Sequence, residues 1–227
     1  MLVFFIVIYH KRNRGFRMLM RTSVYAALKD DIIACRLMPG TELREPEIAA
    51  RYSVGRSPLR EALLRLEAEG LVVIVPRQYC RVAPISLRDA ADMFGLRRVL
   101  EPEAARLVAR TADDAARTRL LAVAAGDEAA DFIDDNRRFH CTLASLAPNR
   151  RLGASCIEII EQSDRLVRVS LAQIEVRRPD LLIGEHRIIA DAVVRGDART
   201  AARLLRAHID AAETRVLSAL RRAAVID

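Results

Sequence analysis

Glu45 to Gly70 reads EPEIAARYSVGRSPLREALLRLEAEG, and two helical patterns separated by a break decide how the rest of the chain is read. Ile48, Ala49 and Tyr52 form a short apolar stripe, Ser53 to Gly55 interrupts it, and Leu59, Ala62, Leu63 and Leu66 resume it at the i, i+3, i+4, i+7 spacing of one helix face. The second helix is expected to start with Ser57 as N-cap and Pro58 at the first helical position. It is expected to stop at Gly70, ahead of the β-prone run Leu71 to Val75.

Helix, turn, helix, strand is the order of a winged helix-turn-helix. Arg56 and Arg60 lie four residues apart and share a face at the start of the second helix, where a recognition helix offers side chains to base edges and phosphates. From Leu28 to Val82 the chain resembles the GntR family of bacterial regulators. The resemblance is carried by LMPGTEL, by EIAARYSVGRSPLREALLRLEAEGLV and by the short wing PRQYCRV. It implies that Arg56 and Arg60 contact operator DNA, within a candidate set of Arg44, Arg56, Ser57, Arg60, Arg77 and Arg81. Gly55 stands where the family prefers Ser or Thr, Pro46 where an arginine is common, and the wing lacks the usual glycine.

Charge distribution agrees with a DNA-binding N-terminal part. Residues 1–87 hold 14 Lys+Arg against 8 Asp+Glu, whereas residues 88–227 hold 23 against 22. Phosphate neutralisation accounts for that asymmetry. Four cysteines without CxxC spacing read as reduced thiols rather than a disulfide framework or a nucleophile, which points to a cytoplasmic protein. The apolar run Leu2 to Tyr9 is too short to span a bilayer, and its positive charges follow it rather than precede it as a signal peptide requires. Residues 1–20 are therefore expected to be a disordered extension or to precede the true start, with Met18 or Met20 as sensible starts.

The expected architecture is mainly α: a winged helix-turn-helix over residues 21–83, a linker at 84–87 and an all-α effector domain over 88–227. A first helix is expected from Thr22 to Cys35 with Val24, Leu28 and Ile32 inward, and the wing is expected as a hairpin between Val72 and Val82. Six helices follow: Leu87 to Arg110, with Ala90, Phe94, Leu100, Ala104 and Leu107 inward and a possible kink at Pro102, then Asp113 to Ala125, Glu128 to Ala147, Leu152 to about Val176, Gly184 to Arg195 and Asp197 to Ala224.

His140, His186 and His208 fall on the apolar faces of three of these helices. One such histidine is usually a hydrogen-bonded core residue. Three in one small bundle are costly to bury unless a shared metal ion satisfies them. The region resembles the FCD branch of the GntR family through RRVLEPEAARLVA, NRRFH and EHRIIADAVVRGDARTAARLLRAHI. That resemblance implies a divalent metal (zinc, nickel or manganese) on Asn136, His140, His186 and His208, holding a small carboxylate effector. Asp is commoner than Asn at the first position, but position i−4 lies about 40° from His140 on the helical wheel, the angle a ligand needs. Arg97 matches the family's pocket arginine, and a salt bridge to Glu101 at i+4 is its alternative role. The expectation is a dimeric, cytoplasmic, operator-binding regulator. Its rivals are a helical metal-dependent hydrolase with Glu185 or Asp191 as base, and a regulator that responds to the metal itself.

Overall fold

Residues 24–127, 131–172 and 179–221 are described by a computed structural model, in which the chain divides into two units between Pro84 and Ile85. The run at residues 1–20 and the expected helix start at Thr22 lie outside the described residues.

In the first unit, helix α1 (24–33) buries Val24, Leu28 and Ile32 as its spacing requires. They join Ile48 of α2 (Glu45–Arg51), the Leu59, Ala62, Leu63 and Leu66 face of α3 (Arg56–Ala68), and Leu71, Val72 and Val82 in one core. Between α2 and α3 the chain turns at Ser53 (φ 52°), and the Val54 N–H returns to the Ala49 carbonyl at 3.0 Å. A serine thus takes the left-handed position that closes a helix.

The start of α3 differs from the sequence expectation. Gly55, extended and without a side-chain cap, is the N-cap, so Arg56, Ser57 and Pro58 occupy the first three helical positions. The first-turn N–H groups have no intrahelical acceptor, so the proline's missing donor is as harmless at the third position as at the first. The end of α3 is as expected. Gly70 (φ +70°) donates to Glu67 O at 2.9 Å, and Leu71 donates to Leu66 O at 2.8 Å, the bond pair of a Schellman motif.

Strands β1 (Val72–Val75) and β2 (Tyr79–Val82) pair antiparallel, from Val72 opposite Val82 to Val75 opposite Tyr79. Thr41 to Leu43 run along the other edge of β2, with Leu43 N donating to Cys80 O at 2.7 Å and Val82 N to Thr41 O at 2.9 Å. The segment before α2 is thereby pinned to the wing.

The second unit contains, among the described residues, α4 (Leu87–Thr111), α5 (Asp114–Ala124), α6 (Phe132–Ser145), α7 (Arg150–Ala172), α8 (Pro179–Val194) and α9 (Ala198–Leu220). Ser86, Asp113, Asp131 and Asp197 cap the starts of α4, α5, α6 and α9 through their side-chain oxygens. Asn149 Oδ1 accepts from the N–H groups of Arg151 and Leu152, which explains why α7 starts two residues before the expected Leu152. Helix α8 starts at Pro179, more than a turn before the expected Gly184. Pro102 lies buried inside α4 without ending it. Leu100 and Leu107 are only half-buried, a correction to the expected inward face; Met93, Arg97, Glu101, Ala105 and Val108 are buried instead. Because α4 lies between neighbours, packing chiefly against α9 and α7, its buried surface is wider than one stripe.

Candidate nucleic-acid interface and metal centre

Arg56, Ser57 and Arg60 are all exposed on the first turns of α3. Arg60 Nε bonds the Glu45 carboxylate at 3.0 Å, and exposed Arg44 pairs with Glu42 at 3.3 Å. Such exposed pairs are worth at most about 1 kcal/mol, so phosphates can compete for both arginines. In the wing, Arg77 is exposed at the tip of the hairpin, at φ 62°. Pro76 before it and the Gln78 N–H to Val75 O bond of 3.0 Å make this a type II arrangement, in which position three normally requires glycine. Arg81 is half-buried, with its guanidinium 4.9 Å from the Tyr79 ring centroid.

In the second unit His140 (α6), His186 (α8) and His208 (α9) converge in the interior, each at most 5% exposed, with one ring nitrogen apiece within 4.8 Å of the others. Phe139 stacks on His186 at 4.2 Å between centroids and fixes its ring. Around His208 on α9, Ala201, Leu205 and Ile209 are buried, and Leu204 and Ala212 are half-buried.

Hydrogen bonding sets the tautomers. His140 Nδ1 meets Glu101 Oε2 at 2.6 Å, and His208 Nδ1 meets Glu185 Oε2 at 2.6 Å. An ionised carboxylate only accepts, so both Nδ1 atoms carry the proton and both Nε2 atoms present lone pairs. Those two Nε2 atoms face each other at 3.2 Å, and His186 Nε2 is buried with no hydrogen-bond partner. Lone pairs turned on one another and an orphaned ring nitrogen fit a shared cation. Two nitrogens held at about 2.0–2.1 Å from one ion stand about 2.8–3.4 Å apart for angles between octahedral and tetrahedral, a range the His140–His208 pair meets. Protonation states agree: burial pushes His140 down to about 4 against the opposing pull of Glu101, and burial together with the neighbouring rings pushes His186 well below its ordinary value. Neutral imidazoles are the metal-binding form.

Arg97, also buried, spends its Nε on Glu101 Oε1 at 2.6 Å, so the salt bridge considered for it is formed. Burial would raise the Glu101 carboxyl, but Arg97 and His140 outweigh it and hold it at about 2. Asn136 is half-buried one turn before His140. Asp135 is buried but turned elsewhere, accepting from the Asp127 N–H at 2.9 Å and pairing with Arg138 at 3.2 Å. Sequence reasoning missed Glu101 and Glu185 as partners of the imidazoles. The Glu101–His140 pair is separated by 39 residues, and no local spacing announces it. Asp191, one of the bases considered for a hydrolase, is exposed.

Residues 20–82 match the family described as bacterial regulatory proteins, gntR family, and residues 92–211 match the FCD domain. The chain belongs to the GntR family, FCD branch. This GntR protein is 28% identical over 195 residues to the HTH-type transcriptional repressor RspR of Escherichia coli K12, covering 82% of this chain and 84% of that one. It is 29% identical over 205 residues to the HTH-type transcriptional repressor GlaR of the same strain, covering 82% and 90%. A solved GntR structure from Rhodococcus sp. RHA1 superposes with a TM-score of 0.74 at 25% identity, over 87% of this chain and 97% of that one. These relatives are regulators rather than enzymes, which sets the hydrolase reading aside. The GntR protein is a DNA-binding transcriptional regulator, and among its described residues no helix is long and apolar enough to cross a membrane.

Proposed function

We propose that this GntR regulator is a cytoplasmic homodimer that binds a two-fold operator and releases or tightens on it when a small organic acid enters a metal-containing helical domain. The observation that carries the reading is the buried trio of imidazoles whose forward nitrogens face one another without other partners. His140, His186 and His208 would hold a divalent ion such as zinc, nickel or manganese, with the Asn136 amide oxygen as fourth ligand. The ion would supply Lewis-acid binding of a carboxylate. Arg97, whose Nε is committed to Glu101, would offer its remaining guanidinium nitrogens to the same anion. A dimer follows from the two-fold symmetry of operators read by helix-turn-helix proteins.

On the DNA side, Arg56 and Arg60 would read base edges, while Arg44, Ser57, Arg77 and Arg81 would hold phosphates. Arg56→Ala or Arg60→Ala should cost about 1–3 kcal/mol on the cognate operator and much less on random DNA. Equal losses on both would demote them to phosphate contacts. The regulatory half is tested by measuring operator affinity of the metal-stripped protein with metal, acid, or both added. An effect that needs both supports the proposal, an effect of metal alone makes the ion the signal, and no effect of any combination refutes it.

A further inference from the structure

Imidazoles ligate a metal in their neutral form and the Asn136 amide carries no charge, so a divalent ion held by these four alone would keep its full charge in the interior. That is costly unless counter-charge lies close by. Two carboxylates supply it, and neither is a facing ligand. Glu101 stands behind His140 with a side chain 3% exposed, and Glu185 stands behind His208 with a side chain 40% exposed. Each meets the Nδ1 of its imidazole at 2.6 Å and so directs an Nε2 lone pair to the centre. Glu101 does one thing more: its second oxygen is held by Arg97 at 2.6 Å, which keeps the carboxylate from swinging round to the ion and links the proposed effector arginine to a metal ligand through one group.

We propose that Glu101 and Glu185 are positioning residues that set the affinity of the three-histidine centre for a divalent cation, supplying from behind His140 and His208 the negative charge its facing ligands lack. This rests on the reading above that the centre binds a metal. A carboxylate behind a ligating imidazole fixes its tautomer and raises its basicity, and its loss typically lowers metal affinity about 10- to 100-fold. The buried Glu101 should have the larger effect, because its loss also leaves the buried Arg97 guanidinium unpaired, whereas Glu185 is partly screened by solvent.

Calorimetric titration of nickel, zinc and manganese into the metal-stripped full-length protein tests this with wild type, Glu101→Gln, Glu185→Gln, Glu185→Asp and His186→Ala. Glutamine keeps the length and an acceptor oxygen but not the charge, so a purely structural role would survive the change. The expected losses of affinity are toward 100-fold for Glu101→Gln and about 10-fold for Glu185→Gln, with partial rescue by Glu185→Asp. Glu185→Gln should leave the melting temperature of the metal-free protein unchanged. If Glu101→Gln does not keep the wild-type helical circular dichroism, the half-exposed Glu185→Gln decides. Affinity within twofold of wild type in the folded glutamine variants, with binding still lost in His186→Ala, overturns this inference and leaves the metal reading standing. A wild type that binds none of nickel, zinc and manganese overturns both.

Discussion

Arg77 holds a backbone conformation that costs a non-glycine residue about 1 kcal/mol or more, in a loop where a glycine would be relaxed. Its exposed place at the hairpin tip suits the phosphate contact proposed for it, which a glycine could not make. Arg77→Gly is therefore expected to stabilise the first unit by about 1 kcal/mol in urea denaturation while weakening binding to cognate and random DNA alike. Stabilisation without weaker DNA binding would remove the wing tip from the interface. Asp31 makes the opposite case, a charge whose structural role is plain. Its carboxylate accepts from Arg36 Nε at 2.6 Å, Arg51 Nη2 at 2.8 Å and the Tyr52 hydroxyl at 2.5 Å, tying α1 to α2. Burial would raise its pKa, but the Tyr52 and Arg36 hydrogen bonds and the arginine charges outweigh that and lower it. A lowered folded pKa means stability that is present above the ordinary carboxylate value, about 3.9, and lost as pH falls through the folded one. Asp31→Asn should cost about 2 kcal/mol at pH 7, and the difference between variant and wild type in urea titrations should shrink as pH falls below about 3.9.

The crossing of α6 and α7 depends on one missing side chain. A Cβ on Gly153 would stand 2.7 Å from the Ala144 carbonyl oxygen, a backbone atom committed to its own helix. Two helices approach this closely only where one presents no side chain, and α6 bears His140 and Asn136, so the approach also places the centre. Gly153→Ala should force the helices apart at a cost of about 1–3 kcal/mol, read as a lower denaturation midpoint of the second unit together with reduced metal binding. Unchanged stability would show that the crossing relaxes freely. Elsewhere α4 is held to α9 by Arg98, which pairs with Asp210 at 2.6 Å and with Glu213, and α6 is held to α7 by Arg168, which reaches Asp134 at 2.6 Å and is itself steadied by Asp164 of its own helix at 3.3 Å. Each tie fixes one histidine-bearing helix, α9 or α6, against a neighbour that carries no histidine.

Two units with separate cores need not melt together, and the proposed ligand site lies wholly in the second. A metal that binds only the folded form stabilises it by about 2.7 kcal/mol at a free concentration one hundred times its dissociation constant. Calorimetry on the full chain should show the second unit's transition rising by about 5–10 °C with saturating zinc or nickel, the first unit's staying in place, and chelation reversing the change. A shift of both transitions, or of neither, contradicts a metal site confined to the helical domain.

Periodicity and punctuation determined the elements. The stripes of α1 and α3, the Gly70 stop, the hairpin and the six later helices were all legible because helix faces and chain reversals are properties of neighbouring residues. Helix ends were less legible. Ser57 has the chemistry of a cap, yet Gly55 holds that place, because an uncapped start and a proline at the third position cost little on an exposed turn. The three histidines could be picked out as inward-facing, but their meeting could not be read from spacing alone, since His140 and His208 are brought to 3.2 Å across 68 residues only because α6 and α9 each pack against α4, α7 and α8 in one bundle. The carboxylates behind them were less legible still. Glu101 reads locally as the i+4 partner of Arg97, and Glu185 only as a candidate base of the hydrolase alternative. Only the tertiary structure makes them partners of His140 and His208, because a hydrogen bond between helices depends on their separation and rotation, which no local pattern encodes.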